Sequence, residues 1–247
     1  MELHESIRHS SLKYTSPLQR VQLLKRYKRF LADVRDNQGH EFTVHTPNTG
    51  SMLGCAEPGS YIWIRDSGNA KRKYRHSWEL SETGDGVLVG VNTGLANHLV
   101  REAIGCGAIE SLTGFEAIRS EVPYGVENSR IDLLLEQNGG TRCYVEVKNV
   151  TARAGDAAIF PDAVSSRGAK HLRELAAMVA EGHRGVIFFC VQRGDVAAFR
   201  PAAEIDPVYA ETLARVAEQG VEVLAYSARV EISGVELAAA LPVSFGQ

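Results

Sequence analysis

Arg130-Ile131-Asp132-Leu133-Leu134-Leu135-Glu136-Gln137-Asn138-Gly139-Gly140-Thr141-Arg142-Cys143-Tyr144-Val145-Glu146-Val147-Lys148 consists of two apolar runs joined by turn residues, with Asp132, Glu146 and Lys148 set inside them. Asn-Gly-Gly between strand-forming runs is hairpin chemistry. Side chains on a strand alternate with period two, so Glu146 and Lys148 share one face while Val145 and Val147 point to the other. If the loop is Asn138 to Gly140, residue 137 pairs with 141 and Asp132 falls opposite Glu146; a loop of even length would separate them. Opposed Cβ atoms lie roughly 4.5 to 5.5 Å apart, where two carboxylates repel unless something positive stands between them. A hard divalent cation, Mg²⁺ or Mn²⁺, satisfies that need through oxygen ligands and water. Lys148, one pleat along, is then placed to orient a water and offset developing charge on a phosphoryl group. The competing account is a structural ion pair of Lys148 with Asp132 or Glu146 at a sheet edge.

Outside the hairpin, 247 residues permit two domains, each able to bury a core. Hydrophobic residues make up 44% and charged residues 23%, ordinary for a folded globular chain, and no apolar run is long enough to cross a bilayer. Met1 to Ser16 is polar, lacks the apolar core of a targeting signal and is expected to be a flexible tail. Cys55, Cys106, Cys143 and Cys190 are dispersed, which favours reduced thiols in the cytoplasm over a disulfide or zinc framework.

The net charge of −3 gives no global attraction to polyanions, but residues 1–90 carry an excess of Lys and Arg and the remainder an excess of Asp and Glu. Two basic runs stand out in the first part. Lys25, Arg26, Lys28 and Arg29 surround Tyr27, and Lys71, Arg72, Lys73 and Arg75 surround Tyr74, which together suit a DNA backbone with a stacked base. Solvated strand faces or loops are the plainer account. Pro47-Asn48-Thr49-Gly50-Ser51-Met52 is a turn whose polar side chains suit a phosphate or simply a structural loop, and Trp63 and Trp78 read as core more than as stacking platforms.

From Leu18 to Asn92, turn-rich breaks separate five expected strands, at Val21–Val34, Glu41–His45, Tyr61–Ile64, Tyr74–Leu80 and Val87–Val91. A five-stranded barrel of OB type closes such a set, although Leu23 to Val34 also fits an amphipathic helix. After Asn92 the pattern changes. A helix is expected at Leu95–Ile104, a strand at Glu116–Val122, then the hairpin, a helix at Ser165–Glu181, a strand at Gly185–Gln192, a helix at Pro207–Gln219 and a strand at Val221–Tyr226. That order describes a mixed sheet between helices. The expected organisation is therefore a tail over 1–16, an OB-like DNA-binding domain over 17–92 and an α/β/α domain over 93–247.

The order of elements, with Asp in one strand and Glu-x-Lys in the next, resembles the PD-(D/E)xK nuclease superfamily. Five segments sharpen the likeness: residues 47–52, Asn128 to Asp132, Tyr144 to Lys148, Phe160 to Ala163 and Arg167 to Leu172. In this order they resemble the sugar fermentation stimulation protein A family over about Leu18 to Phe245. The resemblance implies an OB-like domain before a restriction-endonuclease-like domain, binding to DNA, and a regulatory role in sugar, notably maltose, metabolism. It also implies Asp132 and Glu146 as metal carboxylates and Lys148 as the motif lysine, with Ile131 where the superfamily has Pro. A further Glu from the first helix would be Glu102, with Glu121 as competitor.

Arg167 and His171 are four apart and share a helix face, with Lys170 beside them; near a helix N-terminus they suit a phosphate, or a solvated first turn. Arg130 is expected beside Lys148 across the hairpin, either to contact DNA or to balance Glu146. The combined expectation is a largely sequence-nonspecific DNA-binding protein with a nuclease-like metal site; an active Mg²⁺-dependent endonuclease is the alternative.

Overall fold

The computed structural model describes residues 11–125, 129–137 and 140–245. In chain order the elements are β1 (Ser11–Lys13), β2 (Leu18–Tyr27), β3 (Leu31–Arg35), β4 (Glu41–His45), β5 (Tyr61–Asp66), β6 (His76–Glu82), β7 (Leu88–Gly90), α1 (Thr93–Gly105), β8 (Ala117–Tyr124), β9 (Ser129–Glu136), β10 (Cys143–Val150), β11 (Arg153–Ala154), β12 (Ala157–Phe160), α2 (Ser166–Ala180), β13 (Arg184–Val191), β14 (Ala198–Pro201), α3 (Pro207–Glu218), β15 (Glu222–Glu231) and β16 (Gly234–Ala240).

The N-terminal domain is a six-stranded sheet ordered β4-β3-β2-β5-β6-β7. A bridge between His45 and Ser77 joins β4 to β6, so β2, β3, β4, β6 and β5 make a nearly closed ring of five strands with β7 attached outside it. The expected five-strand barrel is therefore present with different strands. Val21–Val34 is neither one strand nor a helix but the hairpin β2–β3, turned by Lys28 and Arg29 in the left-handed region at φ 49° and 65°. No Gly, Pro or Asn marks that turn. Val21, Leu23, Val34, Val44, Ile62, Ile64 and Trp78 fill the barrel, and Trp78 donates through Nε1 to the Leu80 carbonyl at 3.0 Å. Burial of that indole agrees with the core reading.

The C-terminal domain is built on a seven-stranded mixed sheet ordered β1-β16-β15-β13-β10-β9-β8. β10, β13 and β15 run parallel at its centre, the first two largely buried, and antiparallel strands flank them on both sides. One face packs on α1 through Leu99, Val100, Ala103, Val145, Val147, Val186 and Phe188. The other packs on α2 and α3 through Leu172, Leu175, Leu213, Ile187 and Phe189. A small sheet, β11-β12-β14, which the pattern of the chain did not announce, flanks this arrangement.

Caps explain where the helices begin and end. The side chains of Asn92, Ser165 and Asp206 accept from backbone N–H groups in the first turns of α1, α2 and α3, and Pro207 opens α3. Gly107 at φ 76° and Gly182 at φ 87° follow α1 and α2 in the left-handed conformation that closes a helix C-terminus.

Ser11–Lys13 corrects the expected tail, since β1 pairs with β16 at the edge of the C-terminal sheet and the Tyr14 N–H donates to the Ser233 carbonyl at 3.2 Å. Residues 1–10 lie outside the described residues. All four cysteines are free, and burial pushes the thiols of Cys55, Cys143 and Cys190 up, the first to about 11 and the others to about 12. Among the described residues no helix is long and apolar enough to cross a membrane.

Candidate functional site

The centre of the C-terminal sheet places its charged residues by strand register. β9 and β10 pair through Cys143–Leu135, Tyr144–Leu134 and Val145–Leu133, and one further step of that register sets Glu146 opposite Asp132. The expected loop includes Asn138 and Gly139, which lie outside the described residues. The ladder stops at Leu133, so the two strands part at Asp132. Its carboxylate enters the fork: Oδ2 accepts from the Val147 backbone N–H at 2.8 Å and Oδ1 from Asn97 Nδ2 of α1 at 2.9 Å. Burial, then the nearby Glu146 carboxylate, push the Asp132 carboxyl up to about 6.

Glu146 is 2% exposed. Its Oε1 accepts from Lys148 Nζ at 2.6 Å and meets His171 Nδ1. His171 Nε2 accepts from Arg167 Nε at 3.2 Å, which leaves the ring proton on Nδ1, donated to Glu146. Burial pushes Glu146 up, but His171 and Lys148 together outweigh it and hold the carboxyl below the ordinary range. Glu146 Oε2 is buried with no hydrogen-bond partner. Nearby, the buried hydroxyls of Tyr124 and Tyr209 likewise have none, and both are held deprotonation-resistant, first by burial and then by the Glu146 charge.

Asp132, Glu146, Lys148, Arg167 and His171 thus form one connected cluster, with Asn97 as a member that spacing did not reveal. His171 differs from expectation in facing the sheet: it is 5% exposed, on the buried face of α2. Lys170 is half-buried beside it.

Three further residues take other places. Glu102 is exposed, five positions beyond Asn97 on α1 and so about 140° further round the helix, so the helix position that reaches the fork carries Asn97. Glu121 falls opposite Asp132 in the β8–β9 register, between the pairs Ser120–Leu133 and Val122–Ile131, but is exposed with a left-handed backbone at φ 56°. Arg130 is not turned toward Lys148: past the fork it pairs with Pro123 of β8 and donates to the Glu121 carbonyl at 2.7 Å. Among the described residues no group of three or more His, Cys, Asp or Glu side chains is arranged to hold a metal, and the fork itself brings together two carboxylates.

The basic runs of the barrel divide. Arg26 is a structural clamp, donating to the carbonyls of Arg29, Asn48, Gly50 and Ser51 at 2.7 to 3.1 Å. Arg29 donates from Nε to the Thr49 carbonyl at 3.0 Å. Lys25 pairs with Asp33 at 3.3 Å and Arg75 donates to Asp66 at 2.9 Å. Lys28, Lys71, Arg72 and Lys73 are exposed, and Lys73 stands 5.5 Å from the Tyr74 ring centroid.

The 47–52 turn joins the domains. Met52 N–H donates to Asp162 Oδ2 at 2.8 Å, Ser51 Oγ to the Asp162 carbonyl at 2.7 Å, and Thr93 Oγ1 to the Pro47 carbonyl at 2.7 Å. Between this turn, α1 and β10 opens a cleft of about 410 Å³, with Asn97 in its wall.

Two family descriptions match the chain: the SfsA N-terminal OB domain over residues 24–91 and the sugar fermentation stimulation protein RE domain over residues 94–234. The chain belongs to the sugar fermentation stimulation protein family. The family's homologue from Thioalkalivibrio sulfidiphilus is 57% identical over 237 residues, covering 96% of this chain and 99% of its own. That from Paramagnetospirillum magneticum is 53% identical over 230 residues, covering 93% and 97%. Among solved structures, Pyrococcus furiosus SfsA, described as in complex with Ca²⁺, superposes with a TM-score of 0.85 at 30% identity, covering 95% of this chain and 99% of its own. The likeness extends across both domains, so the OB barrel and the sheet are family architecture.

Proposed function

We propose that this family member binds DNA through its backbone, largely irrespective of sequence, and carries at the Asp132–Glu146 fork a site for a divalent cation, Mg²⁺ or Mn²⁺. The observation that carries the reading is the fork: two carboxylates brought together where β9 and β10 part, one pushed up by burial and then by the other's charge, and one with a buried oxygen lacking any partner. Such an oxygen is costly unless a cation or donor meets it. The Ca²⁺ described for the Pyrococcus furiosus relative is a hard, oxygen-seeking cation of the same class and supports the assignment.

A bound divalent cation would neutralise the carboxylate pair and polarise a phosphodiester oxygen. The chain's own groups prepare the rest. Asn97 and the Val147 N–H fix Asp132, His171 orients Glu146 so that Oε2 stays available, and Lys148 brings positive charge beside the same carboxylate. Arg167 holds the His171 tautomer from the surface, where it also suits a phosphate. Exposed Lys28, Lys71, Arg72 and Lys73 on the barrel supply sequence-independent attraction.

The chemistry that fits is hydrolysis of a DNA phosphodiester; the regulatory role in sugar metabolism, which the family's name evokes, would then act through bound DNA. Incubation with linear, branched and single-stranded DNA in Mg²⁺ or Mn²⁺ tests the enzyme form, with Asp132→Ala and Lys148→Ala as controls. Cutting by the wild type alone supports it, and equal cutting by the variants rejects the site. Binding that weakens with salt but leaves all strands intact identifies a metal-binding DNA clamp, and salt-independent binding overturns the backbone reading.

A further inference from the structure

The cleft between the domains has no role in the cluster just described, yet one of its residues belongs to that cluster. Asn97 lines it and also donates to Asp132, so whatever enters the cleft lies one side chain from the carboxylate fork. Its other walls are chiefly short polar side chains. Asn48, Asn149, Thr151 and Asp162 contribute donors and acceptors, and half-buried Phe160 contributes an apolar surface.

One of these groups is left waiting. Asn149 Oδ1 accepts from Gln192 Nε2 at 2.5 Å, while its buried Nδ2 has no hydrogen-bond partner. A buried amide donor without an acceptor costs about 1 to 3 kcal/mol, which an occupant bearing a carbonyl or ring nitrogen would remove once the amide turned toward it. Asn48 is 6% exposed, and its Oδ1 accepts from Gly50 N–H at 2.8 Å.

We infer that this cleft receives one unpaired nucleotide of a DNA strand, its base among the amides and against Phe160, its backbone phosphate leading to the Asp132–Glu146 fork. The inference rests on the DNA reading above and adds the substrate class to it. Three features select this occupant. A volume of about 410 Å³ is that of a small-ligand pocket, for which about 300 to 1,000 Å³ is usual, and it suits a single nucleotide rather than a duplex. Amides and hydroxyls beside an aromatic ring are what a base edge and face require once the base is out of the stack. Exposed Arg29 donates to the carbonyl of Thr49, which itself lines the cleft, so a guanidinium stands one residue behind the cleft wall and can meet a phosphate of the entering strand. A base paired within a duplex would first have to be flipped out, whereas one in an overhang enters at once.

Fluorescence anisotropy tests this with a labelled blunt duplex and the same duplex bearing a single-stranded overhang, at one salt concentration and with EDTA present so that no strand is cut. The full chain is expected to bind the overhang about tenfold more tightly, the scale of one stacked base. Thr49→Trp, an exposed position whose backbone carbonyl alone contacts Arg29, should fill the cleft and abolish that preference while leaving affinity for the blunt duplex unchanged. Asn149→Asp keeps the acceptor used by Gln192, removes the donor, and should lower the preference several-fold. Equal wild-type affinity for both DNAs, with the usual salt dependence, overturns the cleft assignment and leaves the DNA reading standing. A preference that survives both substitutions overturns it as well. Failure of the wild type to bind either DNA overturns both.

Discussion

The carboxylate fork and the basic turns of the barrel are both charged, but they hold their charge in opposite ways. In the fork, Glu146 is 2% exposed and its Oε1 meets Lys148 and His171 at short range inside a core, while Oε2 is left without a partner. On the barrel, Lys28, Lys71 and Lys73 are exposed, and water and salt screen them from one another. Burial makes the fork a unit, in which removing one group leaves its partner uncompensated. Exposure makes the barrel a sum of small, nearly independent contributions. Arg26 stands between these cases, since its charge lies in a basic run but its Nη1 and Nη2 groups donate to four backbone carbonyls.

Substitutions can break that contrast, beginning where the effect is largest. Asp132→Ala or Glu146→Gln should weaken Mn²⁺ or Ca²⁺ binding by about a hundredfold or more, because loss of even an outer-shell partner costs about 10- to 100-fold. Isothermal titration calorimetry reads this, and loss of only a few-fold would mean that the fork is not the site. Arg26→Ala should destabilise the protein by about 2 to 3 kcal/mol in urea unfolding, on the scale of hydrogen bonds from a charged donor. Arg26→Lys should not restore it, since an ammonium cannot reach several carbonyls as a planar fork does. If Arg26→Ala instead lowers DNA affinity without changing stability, Arg26 belongs with the exposed cations.

Smaller effects sharpen the other side. Lys28→Ala and Lys73→Ala should each lower the slope of log affinity against log salt by about 1, equally for unrelated DNA sequences. Coupling between the two substitutions would show that the barrel acts as a unit after all. The least effect concerns Asp66, whose carboxyl Arg75 holds at about 2 through a hydrogen bond. A folded-state value below the unfolded one gives stability that is present above about pH 4 and lost as pH falls toward 2. Arg75→Ala should therefore flatten this part of an acid unfolding curve followed by circular dichroism, by a small amount because the pair lies at the surface, where water screens it.

Much of this was legible where the physical rule is short-ranged. Period-two alternation puts Glu146 and Lys148 on one face, and the register expected from pairing 137 with 141 is the one that carries Asp132 to Glu146. Caps and glycines gave the helices almost to the residue. What could not be read depends on how elements dock. Which turn of α1 meets the fork is set by packing, so Asn97 stands there and Glu102 faces solvent. The β2–β3 turn escaped notice because Lys28 and Arg29, poor left-handed residues by type, adopt that conformation. The 47–52 turn fitted a phosphate grip as well as a structural loop, because nothing local indicates that Arg26 and Asp162 occupy it.

β1 has a consequence for how the molecule can be divided. It precedes the barrel in the chain but belongs to the sheet that follows it, pairing with β16. Topologically the barrel is an insert in a host domain whose first strand lies upstream. A chain begun at Thr93 would lose that strand and present β16 as a bare edge, open to pairing with another molecule. The two halves are thus related less as beads on a string than as a clasp and the band it closes: shortening from the N-terminus should yield association between copies before it yields an independent C-terminal half.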